Sequence, residues 1–176
     1  MNRRQFISSA ALSGTAIGIS IPSVAGMHLQ SQIKIGIIGL DTSHAPAFAK
    51  YFNVTDTSGN FRVIAAYPHG SKDIQSSVSR IPKYTEEVTG YGVKVMPSIK
   101  SLLDMVDVVL LETNDGRLHK EQAFQVIDAR KPVFIDKPIA ASLADVSAIY
   151  NKAKSSNVPV FSASSLRYMK TAQDVR

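Results

Sequence analysis

The sequence predicts an α/β protein built on a doubly wound parallel sheet, and three observations carry that prediction. Six short apolar or β-branched runs alternate with helical stretches across residues 33 to 161, the alternation that produces right-handed crossovers and parallel pairing. The fourth run, Asp107 to Glu112, is apolar on both faces in its middle, as a strand buried between two helical layers must be. The 176-residue chain is 44% hydrophobic and 19% charged, so it can fill one core without a disulfide or metal staple.

Each element has a local reason. Ile33 to Ile38 is a β-branched run of strand length stopped by Gly39, and Ala45 to Asn53 follows as a helix, with Pro46 tolerated in its first turn. Phe61 to Tyr67 is the second strand, closed by Pro68-His69-Gly70-Ser71. The Ser-rich dozen residues ending at Pro82 read as a surface loop, and Tyr84 to Thr89 as a short helix before Gly90. Val93 to Met96 is a third strand stopped by Pro97, after which Ser98 is placed to cap a helix reaching Met105. After the fourth strand, His119 to Ala129 reads as a helix with Ala123, Phe124, Val126 and Ile127 inward, and Pro132 to Ile135 as the fifth strand. Ser142, with Asp145 three positions on, resembles a capping box for a helix to about Ser156. Val158 to Phe161 is the sixth strand, placed at an edge by Pro159.

Composition removes several functional classes. The chain has no cysteine, which excludes thiolate zinc sites, cysteine-ligated iron clusters, thiol nucleophiles and disulfides; no other metal-ligand set is read from the spacing. Arg3-Arg4 precedes an uncharged, weakly hydrophobic run from Ser8 to Ala25, the n-region, h-region and small-residue exit of a cleaved secretory leader over residues 1–30. Phe6, two residues after the arginine pair, gives it the look of a twin-arginine signal, with Asn2 and Ile7 where Ser and Leu are usual. Periplasmic export is the expectation, with no stable membrane association after cleavage. Without those residues 18 basic face 14 acidic side chains, a net +4 against +6 for the whole chain. The basic residues are scattered and lack interleaved aromatics, which argues against nucleic acid as a partner.

In a doubly wound sheet, ligands sit beyond the carboxyl ends of the strands, where strand order reverses. A dinucleotide fingerprint places three glycines at the first of these exits; here the register holds Gly39, Asp41 and His44. Thr42 and Ser43 offer hydroxyls, the amides opening the helix offer an anion site, and His44 adds charge when protonated. Asp41 would oppose a diphosphate unless its side chain turns away. Equally, Asp41, Thr42 and Ser43 could do no more than cap the helix. The second exit has no acid for ribose hydroxyls; Ser71 and Lys72 suit a 2′-phosphate, although Lys72 reads more readily as a solvated loop residue.

The fifth exit, Ile135-Asp136-Lys137-Pro138-Ile139-Ala140, resembles that of the Gfo/Idh/MocA oxidoreductases, Glu-Lys-Pro-Leu-Ala after a Gly-Lys-x-Val approach. Asp136 replaces the Glu, and Arg130-Lys131-Pro132-Val133 stands for the approach. Ile35-Gly36-Ile37-Ile38-Gly39, His119 with Ala123, and Ser164 to Arg167 extend the likeness over residues 33 to about 168. At the fourth exit the family's Thr-Pro-Asn is replaced by Glu112-Thr113-Asn114-Asp115-Gly116-Arg117.

The resemblance implies a Rossmann-like dinucleotide-binding domain over 31–165 and the start of a truncated C-terminal substrate domain at 166–176. It implies NAD or NADP as cofactor and a sugar or cyclitol as substrate. Lys137 would be catalytic, near the reacting carbon, and Asn114, His119, Asp136 and Pro138 would line the cofactor. Taken alone, Lys137 reads as a surface cation paired with Asp136, and His119 as a helix-opening residue satisfied by hydrogen bonds. Expected, then, is an exported NAD(P)-dependent oxidoreductase, incomplete and inactive in this span, with oligomerisation possible when full length. The alternatives are an NAD-dependent glycosidase of the same family and a cofactor-free carbohydrate-binding relic.

Overall fold

The computed structural model describes residues 32–175, so the leader over 1–30 lies outside them. Six strands form one sheet: β1 (Ile33–Ile38), β2 (Phe61–Tyr67), β3 (Lys94–Val95), β4 (Val108–Leu111), β5 (Val133–Ile135) and β6 (Val160–Phe161). Their order is β3-β2-β1-β4-β5-β6 and every neighbouring pair is parallel. The α/β doubly wound reading therefore holds, and the order reverses between β1 and β4. That places the switch point at the exits of those two strands.

Helices cover both faces. Side chains alternate across β1, so Ile35 and Ile37 enter one core with Leu40, Ala45, Ala49, Val63 and Val88, whereas Ile38 enters the other with Leu102, Leu111, Val126, Ile127 and Ile149. The first core lies under α1 (His44–Lys50), which continues as a wide π-helical turn over Tyr51–Thr55. Between β2 and β3 stand α2 (Gln75–Val78) and α3 (Ile81–Gly90). The expectation of a loop reaching Pro82 fails here because proline, which lacks the N–H that a first turn leaves unused, sits within the opening of α3.

The other face carries α4 (Ile99–Leu103), α5 (Gly116–Asp128) and α6 (Leu143–Ser156). The Ser98 and Ser142 caps are present: each hydroxyl accepts the N–H three residues on, from Ser101 and Asp145. Helix α5 starts three residues before the expected His119, because the Asp115 carboxylate accepts from Arg117 N–H and caps it. Strand β6 lies at the sheet's edge as Pro159 suggests, though strands three, five and six are all shorter than the sequence runs. After β6 come a 3₁₀ turn, Ser165–Tyr168, and a short α7 (Lys170–Gln173). No helix among the described residues is long and apolar enough to cross a membrane.

Candidate functional site

The site is the crevice above β1, β4 and β5, and its floor begins at Gly39. This residue has φ +91°, and a Cβ here would stand 2.5 Å from Thr113 N. The chain can turn there and press against the fourth exit only because no side chain intervenes. Thr42, buried with an unpartnered hydroxyl, and Ser43, exposed and without a capping hydrogen bond from its side chain, follow in the loop. The capping alternative for these residues is therefore not realised.

Asp41 turns inward. It is fully buried, and its Oδ1 accepts the Asn114 N–H at 3.0 Å. Burial pushes its carboxyl above the usual range, and the Asn114 N–H works in the opposite direction. Its other oxygen lies against Gly70, where a Cβ would come within 2.3 Å. Asp41 thus ties the exits of β1 and β4 together from within and packs Oδ2, which has no hydrogen-bond partner, against the exit of β2.

Several residues expected to meet a cofactor are engaged elsewhere. Ser71 is buried; its hydroxyl donates to Asp73 and accepts from Ile74 N–H, shaping the turn after β2. The Asn114 amide donates to Ser77 Oγ at 2.9 Å. His119 is fully buried, with Nε2 2.6 Å from the Thr113 carbonyl and Nδ1 3.2 Å from that of Ile139. It is a strut joining the fourth and fifth exits, which matches the hydrogen-bonded alternative. Lys72 is exposed on the wall of a cavity of about 710 Å³ beyond β2 and β3.

Arg117, given no role at the fourth exit by the sequence, organises that cavity. Its guanidinium spans Asp73 and Asp115, both at 2.6 Å, and holds the Asp73 carboxyl down to about 2 and Asp115 below its usual range. The pairing fastens the β2 exit to the start of α5.

At the other end of the crevice, Lys137 projects half-exposed from the fifth exit, with Nζ 3.6 Å from Asp136 Oδ2. Pro138 follows through a cis peptide bond and is exposed. Lys137, Asp136 and His44 line a second cavity of about 320 Å³ with Ala47, Phe48, Phe134, Ala163, Ser164 and Tyr168. His44 Nδ1 lies 2.7 Å from Asp136 Oδ2 and 3.9 Å from Glu112 Oε2. Three residues distant in sequence, His44, Glu112 and Asp136, therefore share one point.

Glu112 was not among the expected site residues. It is fully buried, and neither carboxylate oxygen has a hydrogen-bond partner. Burial, reinforced by the neighbouring Asp136 charge, pushes its carboxyl up to about 8. The signal was an acid ending an otherwise apolar central strand, a position where a charge needs a reason.

A family model described as "Oxidoreductase family, NAD-binding Rossmann fold", for Gfo/Idh/MocA, matches residues 33–164. No curated protein matches the sequence. Among solved structures, the chain is similar to a biliverdin reductase from Synechocystis sp. PCC 6803 in complex with biliverdin and NADP+, at 19% identity and TM-score 0.64, covering 82% of this chain and 42% of that one. It is similar to a UDP-N-acetylglucosamine 3-dehydrogenase from Acidithiobacillus ferrooxidans, at 18% identity and TM-score 0.62, covering 82% and 41%. An oxidoreductase from Agrobacterium radiobacter in complex with NAD+, L-tartaric acid and magnesium aligns at 19% identity and TM-score 0.61, covering 82% and 39%. The chain spans about two-fifths of the length of these solved relatives.

Proposed function

The chain belongs to the Gfo/Idh/MocA family of NAD-binding oxidoreductases, and from that premise we propose that residues 31–165 hold NAD or NADP and present it to Lys137, the catalytic residue of an exported enzyme acting on a sugar or cyclitol. The observation that carries the reading is the position of Lys137. It stands at the carboxyl end of β5, beside the switch point, in a cavity it shares with Asp136 and His44.

Apart from His44, whose ring reaches across to Asp136, the residues at the first exit fit a dinucleotide. Gly39 keeps clear the close approach that a Cβ would fill, and the inward turn of Asp41 removes the acid that would oppose a diphosphate. The N–H groups opening α1 would meet the diphosphate there. The dinucleotide, when bound, supplies the hydride acceptor or donor. Lys137 would give a proton to the substrate carbonyl oxygen as hydride arrives, or, as the free amine, take it from the hydroxyl as hydride leaves, while Asp136 at 3.6 Å holds the side chain at the cavity wall. The segment from Leu166, with Leu166, Tyr168 and Met169 exposed, is read as leading into a substrate domain. Export by the leader over 1–30 belongs to the same proposal.

Calorimetric titration of NAD+ and NADP+ into the chain tests the domain reading: saturable binding to one of them, lost in Gly39→Val, is expected. Heat from neither dinucleotide would refute it. In a protein carrying the substrate domain, Lys137→Ala should lower turnover by about 10²–10⁴-fold while dinucleotide affinity is retained. Preserved turnover would remove Lys137 from the chemistry. A second reading, a cofactor-free carbohydrate binder, is favoured by His44, which occupies a glycine position of the fingerprint and reaches across to Asp136. Retained affinity for a sugar with no response to either dinucleotide would select it.

A further inference from the structure

We propose that His44, Glu112 and Asp136 bind one divalent cation of the Zn²⁺ or Mn²⁺ class at the joined exits of β1, β4 and β5. One donor atom from each lies within 4.8 Å of the other two. The ligands of a single ion, each about 2.1 Å from it, stand roughly 3.0–3.4 Å apart. The His44 separations of 2.7 and 3.9 Å bracket that range.

Glu112 supplies an independent observation. A carboxylate taken from water without donors is strongly penalised, yet both its oxygens are buried and unpartnered. Oε2 lies 3.9 Å from the His44 Nδ1 that also meets Asp136. A cation would satisfy all three groups together. His44 and Asp136 are already mutually paired at 2.7 Å, so the two elements that carry them are held ready across the crevice.

The donor set names the class of ion. One imidazole nitrogen with two carboxylates is harder than a thiolate site and softer than an all-oxygen cage, which suits borderline first-row ions rather than Cu(I) or Ca²⁺. Three protein ligands leave a coordination position for an exchangeable ligand, the pattern of catalytic rather than structural zinc. His44 and Asp136 also line the cavity that contains Lys137, so an ion held by them is within reach of a small oxygen ligand bound there. None of this depends on dinucleotide binding: the ion's ligands are all protein side chains.

The test uses the 176-residue chain, stripped with chelator and dialysed at neutral pH against ZnCl₂ or MnCl₂. Bound metal is counted by mass spectrometry, and Mn²⁺ is also followed by loss of its free-ion paramagnetic signal. One ion per chain is expected, with His44→Ala and Glu112→Gln each weakening binding by at least the roughly 10–100-fold that loss of an outer-shell partner costs and His69→Ala unchanged. His44 is half-exposed, so His44→Ala should retain its circular dichroism spectrum and cooperative melt, separating lost binding from lost fold. No saturable uptake of either ion up to about 1 mM, a weak limit for any specific site, would overturn the proposal. So would equal binding by His44→Ala and the parent. Saturable uptake without dinucleotide affinity would support the ion site while refuting the domain reading.

Discussion

Glu112 gives the sharpest test of the site's electrostatics, because its burial has a calculable consequence for stability in metal-free protein. Its carboxyl is raised from 4.5 to about 8 in the folded chain. Between those values the folded state keeps a proton that the unfolded state releases, so stability falls as pH rises through this window. Below pH 4.5 both states are protonated; above pH 8 both are ionised and the full penalty is present. At about 1.4 kcal/mol per pK unit, the loss between pH 5 and pH 9 amounts to about 4 kcal/mol, a large share of the roughly 5–15 kcal/mol that holds a domain together. Glu112→Gln keeps the shape and removes the titration. Urea unfolding of both proteins at a series of pH values, with chelator present, compares the fold with and without this titration and its pull on Asp136 and Lys137. The stability difference should move by about 4 kcal/mol in favour of the variant as pH rises from 5 to 9. Curves that stay parallel would show that Glu112 is solvated or already paired, and the account of the site would fail.

Three further substitutions probe how the crevice is held. Gly39→Ala places a side chain at φ +91° and within 2.5 Å of Thr113 N; it should cost about 2–4 kcal/mol in urea unfolding, and a cost below about 0.5 kcal/mol would contradict the close approach. His119→Ala removes a buried ring contacting the Thr113 and Ile139 carbonyls; a loss of about 2–4 kcal/mol is expected from the cavity and the stranded acceptors, whereas a surface-like effect would deny its role as strut. Gly70→Ala drives a methyl against Asp41 Oδ2, so its cost should shrink by at least about 1 kcal/mol in an Asp41→Ala background; additive costs in the double variant would mean the two residues do not touch.

How much of this was legible follows from the range of the forces involved. The six strands and the capping serines Ser98 and Ser142 were readable because periodicity and capping are local, acting within a few residues. Helix α3 was misjudged at its start because Pro82 carries two local meanings, loop end and first helical turn, and only packing against the sheet chooses between them. The site was less legible than the fold. Lys137 and Asp136 come from a contiguous run of residues, but the meeting of His44 with Glu112, 68 positions apart, depends on strand order, which places β1 beside β4. Arg117 pairs with Asp73 at a separation of 44 residues and left no local trace either.

The two replaced glycines of the fingerprint have opposite structural fates. At position 41 the added carboxylate goes down into the protein, where Oδ1 takes the Asn114 N–H and Oδ2 packs on Gly70. The crevice mouth loses nothing by it. At position 44 the added imidazole stays half-exposed and reaches across to Asp136, so it occupies the crevice that a glycine would leave open. A ligand sharing the cavity with Lys137 therefore meets the His44 ring. An ion on His44, Glu112 and Asp136 would fix that ring in place, whereas a dinucleotide crossing the same exit requires it to yield. Metal uptake and dinucleotide affinity should accordingly oppose each other, and linkage makes the opposition reciprocal: whatever factor saturating Mn²⁺ takes from dinucleotide affinity, saturating dinucleotide must take from Mn²⁺ affinity.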